Sequence, residues 1–221
     1  MQNLSTRNIK KLWAFGDSYT FGHELSDCPT NIETMPSQRS YAALIANEMG
    51  YEYHCKAIGY YANNAIVRTV IENINNIDQN DIVLIMWTFP IRREFMLDSG
   101  LLTIGRETDH EFAKHYIKYV DLNNNWMISQ SVRDIFLAQE LLRGYKYLFI
   151  SAVTDLNKVI VNRERYISPL VDRIDLGRWL SLDQEKGFHE WSELMMNQKF
   201  LGHPTDQAHR LLANKIKEVL W

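Results

Sequence analysis

Three residues far apart in the chain have the types that nucleophilic acyl chemistry needs. Ser18 stands in "LWAFGDSYTFG" (12–22), directly after a short apolar run and a glycine. A serine hydroxyl is a poor nucleophile at neutral pH. It needs an imidazole within hydrogen-bond reach, and the imidazole needs an orienting carboxylate. Near the C-terminus, "GHPTDQAHRLLANKI" holds Asp206 and His209 three residues apart, neighbours on the first turn of a helix. Taken alone, that pair also fits a surface helix, with a first-turn acid favoured by the helix dipole. It gains weight because the serine-bearing turn and the pair occur in one chain of alternating strands and helices.

Those elements can be read from apolar periodicity. Four short apolar runs predict strands: "LWAF" (12–15), "YEYHCKAI" (51–58), "DIVLIMWTF" (81–89) and "YKYLFISAV" (145–153). The third is the clearest, being continuously apolar as in a strand buried on both faces. Between them, 37–50, 64–77 and 126–144 carry apolar stripes at helical spacing, with Ser37 as a possible N-cap of the first and Gly50 as its stop. A last amphipathic helix begins near Asp206. The regions 98–124 and 154–203 are less regular and predict loops. No repeat or linker divides the chain, so residues 1–221 are read as one domain. Alternating strands and helices imply a parallel sheet with helices on both faces. Sites in such sheets gather at the C-terminal strand ends, where Gly16–Ser18, Gly59 and Thr88–Phe89 fall.

"FGDSY" together with "GHPTDQAH" resembles the GDSL, or SGNH, hydrolases, α/β esterases and lipases. The resemblance implies a three-layer α/β/α sandwich with a parallel, flavodoxin-like central sheet. It also implies Ser18 as nucleophile, His209 as base and Asp206 as its orienter. The family's oxyanion hole combines the serine N–H, a glycine N–H after the second strand and an asparagine after the third. Gly59 in "KAIGYYANNAIVRTV" fits the second donor, although Tyr60 could occupy the aligned position. The third departs: where the family has Gly-x-Asn-Asp, this chain reads "MWTFPIRREF", with Phe89 in place of the asparagine. Losing one such donor costs about 2.7–4 kcal/mol. Thr88, Asn63, Asn64 and Arg92 are candidate substitutes. The expected activity is cleavage of a carboxylic ester, such as an O-acetyl or other short acyl ester, through an acyl-enzyme. A transferase using the same triad and a non-catalytic binding module are the alternatives.

Other patterns carry less. "HEFAKH" (110–115) has one residue too many for a zinc-protease helix, since five residues turn a helix by about 140° and separate His110 from His115. His23, Asp27 and His54 match no ligand spacing. No metal or other cofactor is expected. Trp126, Trp179 and Trp191 suit core packing for at least two of the three, and His203, before Pro204, reads as structural or supporting. The net charge of −3 and the absence of a basic stripe argue against nucleic acid. The family resemblance implies a small-molecule or carbohydrate ester as the partner. The longest apolar run, "IVLIMWTFPI", is about half a membrane span. Only "LWAF" follows the N-terminal cations Arg7, Lys10 and Lys11, which predicts no export signal. Two cysteines, Cys28 and Cys55, fit a reduced, cytoplasmic setting.

Overall fold

The computed structural model describes residues 9–30, 34–105, 108–120, 124–200 and 202–220. Residues 1–8, which include Arg7, lie outside them, as do 106–107 and 121–123 of the predicted loop at 98–124.

Each of the four predicted strands forms. They are β1 (Lys11–Phe15), β2 (Glu52–Cys55), β3 (Ile82–Trp87) and β6 (Lys146–Ser151), joined in one parallel sheet of order β2-β1-β3-β6. Every residue of β3 is buried, because it is a central strand covered on both faces. β2, at one edge, is only half-buried. The opposite edge is partly closed, since the Leu180 N–H donates to the Phe149 carbonyl at 2.8 Å, which caps exposed ladder groups.

After β1 come the one-turn helix α1 (Ser18–Phe21) and then α2 (Tyr41–Met49), which leads to β2. The helix α3 (Asn63–Asn73) leads from β2 past β1 to β3. Right-handed crossovers in opposite directions place α2 and α3 on opposite faces of the sheet. Accordingly α3 packs on α5 (Asn124–Leu141), while α2 packs on α8 (Asp206–Leu220). The result is the three-layer α/β/α sandwich with a parallel sheet. The order in which strands are added reverses at β1 and β3, and their C-terminal ends open the crevice where such sheets bind ligands.

Three expectations need correction. Ser40, not Ser37, caps α2: its Oγ accepts from the Ala43 N–H at 3.4 Å, while Ser37 Oγ donates to Asp27. Two serines within one turn of a helix start are equivalent by type, and only the backbone path separates them. The region 98–124 is not irregular either. β4 (Arg93–Leu97) and β5 (Gly100–Ile104) make an antiparallel hairpin, followed by the helix α4 (Glu111–Val120). Likewise 154–203 contains α6 (Thr154–Val161) and α7 (Phe188–Met196). Helices of 8 and 9 residues span barely two turns, too few for periodicity to separate them from loops.

Trp179 and Trp191 are buried, as expected for core packing, whereas Trp126 is exposed. Neither cysteine is in a disulfide; they border one small apolar cluster with Phe21 and Ala57. No described helix is long and apolar enough to cross a membrane. Among the described residues no three His, Cys, Asp or Glu side chains are grouped to hold a metal ion.

Candidate active site

Gly16 is required where β1 ends. A Cβ there would stand 2.2 Å from Thr20 Oγ1 and 3.2 Å from the Met86 carbonyl oxygen, so only glycine lets α1 fold back this tightly. Asp17 then caps α1, accepting from the Tyr19 N–H at 3.0 Å. Its carboxylate is wholly buried and also accepts from Thr88 Oγ1 and, at 2.8 Å, from Arg92 Nη1. Asp17 is therefore a brace. Ser18 is the next residue, 6% exposed, and its hydroxyl has no hydrogen-bond partner among the described residues. A nearly buried hydroxyl without a partner at a strand end suits a reacting group better than a structural one.

The expected base does not meet its expected carboxylate. His209 lies in α8 with its ring fully buried, near-parallel to Tyr41 and edge-on to Phe188. Its Nδ1 accepts from the Tyr41 N–H at 3.1 Å, and its Nε2 is buried without a partner. Burial drives its pKa down to about 3, against a smaller upward pull from Asp206. Asp206 faces the other way. It accepts from Ser26 N–H (3.0 Å), Ser26 Oγ (2.5 Å) and Arg39 Nη1 (3.0 Å). Partial burial would raise its pKa, but these donors outweigh that and hold it below the usual value. The i,i+3 spacing placed the two residues on one turn; the surroundings of each gave them different work. His209 pins α8 to the start of α2, and Asp206 pins α8 to the loop at Ser26.

A different histidine–carboxylate pair borders the Ser18 turn. Glu24 Oε1 lies 2.9 Å from His203 Nδ1, somewhat off the ring N–H direction, and Glu24 Oε2 accepts from the His203 backbone N–H at 3.0 Å. That backbone hydrogen bond is the main reason the Glu24 pKa is lowered. Glu24 adopts φ +65°, a left-handed conformation that costs a non-glycine residue about 1 kcal/mol or more and is often retained at functional sites. The His203 ring sits edge-on to Tyr19, centroids 5.2 Å apart, so it packs against the residue that follows Ser18. His23, whose backbone N–H donates to the Ser18 carbonyl at 3.1 Å, has its ring 6.2 Å from that of His203. Burial lowers the His23 pKa, with His203 adding to the effect. The sequence reads His203 as structural or supporting, with Pro204 after it as the only local signal. Glu24 gave none, because its partner is 179 residues away.

The other sequence-selected residues divide into braces and open donors. Asn63 is buried and clamps Thr88 from both sides: its Nδ2 donates to the Thr88 carbonyl (3.2 Å) and its Oδ1 accepts from the Thr88 N–H (2.8 Å). Thr88 spends its hydroxyl on Asp17. Asn64 is bound at both ends to the backbone of Glu94. Thr88 and Asn63 have no side-chain donor left for a ligand, and Asn64 is turned onto the Glu94 backbone. Gly59 stays in play, since its N–H takes no partner among the described residues and His23 packs so closely that a Cβ would lie 2.6 Å from Cε1. The Arg92 guanidinium carbon lies over the rings of Tyr60 and Phe89, 4.7 Å from each centroid, with Nη1 on Asp17. It faces a cavity of about 430 Å³ walled by Tyr60, Phe89, Val153, Asp155 and Glu190.

No protein-family model matches the sequence, and no curated protein matches it either. Solved structures do resemble it in three dimensions. A member of the lipolytic protein G-D-S-L family from Veillonella parvula DSM 2008 aligns over 95% of this chain and 97% of its own, with a TM-score of 0.52 at 13% identity. Phospholipase A1 from Streptomyces albidoflavus NA297 aligns over 95% and 99%, at 0.50 and 10%. A carbohydrate esterase family 2 enzyme with a carbohydrate binding domain, from Corynascus thermopiles (Myceliophthora fergusii), aligns over 96% of this chain but 65% of its own, at 0.51 and 13%. The fold is thus that of the G-D-S-L lipolytic proteins and carbohydrate esterases, the SGNH-type sandwich that the two terminal motifs implied.

Proposed function

We propose that the protein is a serine esterase in which Ser18 is the nucleophile, His203 the general base and Glu24 the residue that orients it. The observation that carries this reading is a nearly buried Ser18 hydroxyl with no partner among the described residues, on a turn whose next residue, Tyr19, packs against a histidine already set against a carboxylate. Ser18 Oγ attacks the ester carbonyl carbon while its proton passes to His203 Nε2. Nδ1, protonated, faces Glu24, which stabilises the imidazolium. The tetrahedral intermediate collapses, the C–O bond to the alcohol breaks, and His203 returns the proton to the departing oxygen. Water then repeats the sequence on the acyl-enzyme, His203 again acting first as base and then as acid. The N–H groups of Ser18 and Gly59 are the backbone donors available to the oxyanion.

His209 is set aside in this reading. A base with a pKa near 3 is almost unable to hold a proton at neutral pH, and its ring is sealed from solvent. The cavity beside Arg92, apolar on Phe89 and Val153, is bordered by Tyr60, the residue after Gly59, and its volume suits a small ester substrate. The two fold neighbours named as a phospholipase and a carbohydrate esterase leave lipid and sugar esters both in view.

Reaction with a fluorophosphonate reagent tests the assignment. Wild type is expected to be labelled at Ser18. Labelling is expected to be lost in Ser18→Ala, to fall steeply in His203→Ala and to persist in His209→Asn. A folded wild type that takes no label would leave the non-catalytic binding module, which Phe89 in place of an asparagine favours. Labelled protein that turns over faster with a sugar acceptor than with water would be a transferase using the same residues.

A further inference from the structure

An oxyanion hole of two backbone N–H groups is one donor short, and Phe89 stands where an asparagine was expected. We propose that Arg92 supplies the third donor, an inference that rests on the esterase reading. The case begins with what each polar neighbour is already doing. Thr88 and Asn63 have their side-chain donors committed to Asp17, Thr88 and Ser131, and Asn64 is turned onto the Glu94 backbone by both atoms of its amide. Arg92 binds Asp17 Oδ2 (2.8 Å) and Thr88 Oγ1 (3.1 Å) through Nη1 alone. Its Nη2 and Nε have no hydrogen-bond partner among the described residues, and the side chain lines the cavity.

The guanidinium is also held in place before any substrate arrives. Rings lie on it at 4.7 Å from two residues, Tyr60 and Phe89, and the buried Asp17 carboxylate anchors one end. Phe89 thus removes an amide donor and contributes the stacking surface for a guanidinium. Asp17 precedes Ser18 and Tyr60 follows Gly59, so Arg92 rests on the two turns that carry the other donors. Fixed dipoles and charges aimed at a developing oxyanion need no reorganisation during reaction. As the Ser18 Oγ–carbon bond forms, the carbonyl π pair moves onto oxygen, and an Arg92 N–H meets it there. The pair returns to the carbonyl as the alcohol leaves, and the arginine keeps its protons throughout.

Steady-state hydrolysis of two esters tests this: p-nitrophenyl acetate, which is uncharged, and p-nitrophenyl hemisuccinate, which is anionic. In Arg92→Ala, kcat is expected to fall about 10²–10³-fold on both esters, with KM changed only a few-fold. Added guanidinium chloride at millimolar concentration is expected to recover part of the loss, and to do nothing for Ser18→Ala. Should Arg92→Ala fail to fold, Arg92→Lys retains a cation for Asp17 without the planar fork, and a fall of tenfold or more in kcat is expected. A loss confined to the hemisuccinate would make Arg92 an anion-recognition residue and overturn the proposal. So would an unchanged kcat in either variant, or a loss in Arg92→Ala that guanidinium cannot reduce. Absence of both hydrolysis and fluorophosphonate labelling in wild type would instead remove the esterase reading beneath it.

Discussion

His203 and His209 are chemically identical side chains six positions apart, and their surroundings separate them. His209 has a backbone N–H on Nδ1, aromatic rings around it and no solvent-exposed surface. His203 has a carboxylate on Nδ1 and a partly open ring. Removing the orienting carboxylate of a triad typically costs about 10⁴-fold in kcat. Glu24→Gln is therefore expected to lower kcat on p-nitrophenyl acetate by about 10³–10⁴-fold while the fold is kept. Asp206→Asn, by contrast, is expected to leave kcat within about threefold of wild type, because that carboxylate holds Ser26 and Arg39 rather than an imidazole. Equal losses in the two variants would show that the assignment of the carboxylate is wrong.

At the scale of elements, the site depends on tight approaches between loops at the C-terminal edge of the sheet. Gly187 precedes α7, and a Cβ on it would stand 2.2–2.4 Å from backbone atoms of Val153, just after β6. Backbone cannot rotate away as a side chain can. Gly187→Ala is expected to destabilise the fold by about 3 kcal/mol, read as a lowered urea midpoint at unchanged m-value. The hairpin that follows Arg92 is tied down by ion pairs: Arg68 Nε and Nη2 reach Glu94 at 2.8 and 3.0 Å, and Arg93 Nη1 reaches Asp134 at 2.6 Å. Glu94 is 7% exposed at its side chain and Arg68 31%. Arg68→Met would strand a nearly buried carboxylate. Because the pair is partly solvated and Asn64 still holds the Glu94 backbone, the expected cost is about 1–2 kcal/mol, below that of a fully buried pair. The same urea titration measures it.

For the whole molecule, Glu24 and Asp206 share one pH sense with the buried histidines His209 and His23. Glu24 and Asp206 have carboxyls whose folded pKa is depressed, so the stability they contribute is present above the ordinary carboxylate range and is lost as pH falls through the folded values. His209 is kept neutral by burial, with a folded pKa of about 3 against 6.5 unfolded. Between those values the unfolded chain binds the extra proton, so stability rises with pH across that window. The contribution is complete above about pH 6.5 and declines below it by about 1.4 kcal/mol per unit. Urea midpoints at pH 7, 6 and 5 are expected to fall steadily in wild type. His209→Asn can still accept from the Tyr41 N–H through its amide oxygen but does not titrate, so it is expected to flatten that fall. Parallel slopes would rule out His209 as the source.

What the sequence by itself determined was local: four strands, the serine turn, the parallel sandwich and the crevice at its C-terminal edge. Apolar runs and glycines specify these over a few residues, and right-handed crossovers then leave little choice of topology. The short elements of 98–124 and 154–203 escaped because two turns of helix or five residues of hairpin carry too little periodicity. Ser18 and Gly59 were legible as candidates for the same local reason. The partner of the serine was not. An imidazole reads as a base or as core according to what packs on its two nitrogens, and for His203 and His209 those groups are Glu24 and the Tyr41 N–H, both more than 160 positions away. Arg92 shows the same division. Its charge was visible in the sequence, but only folding set it over the rings of Tyr60 and Phe89, tied it to Asp17 and left two of its nitrogens without a partner among the described residues, beside the cavity.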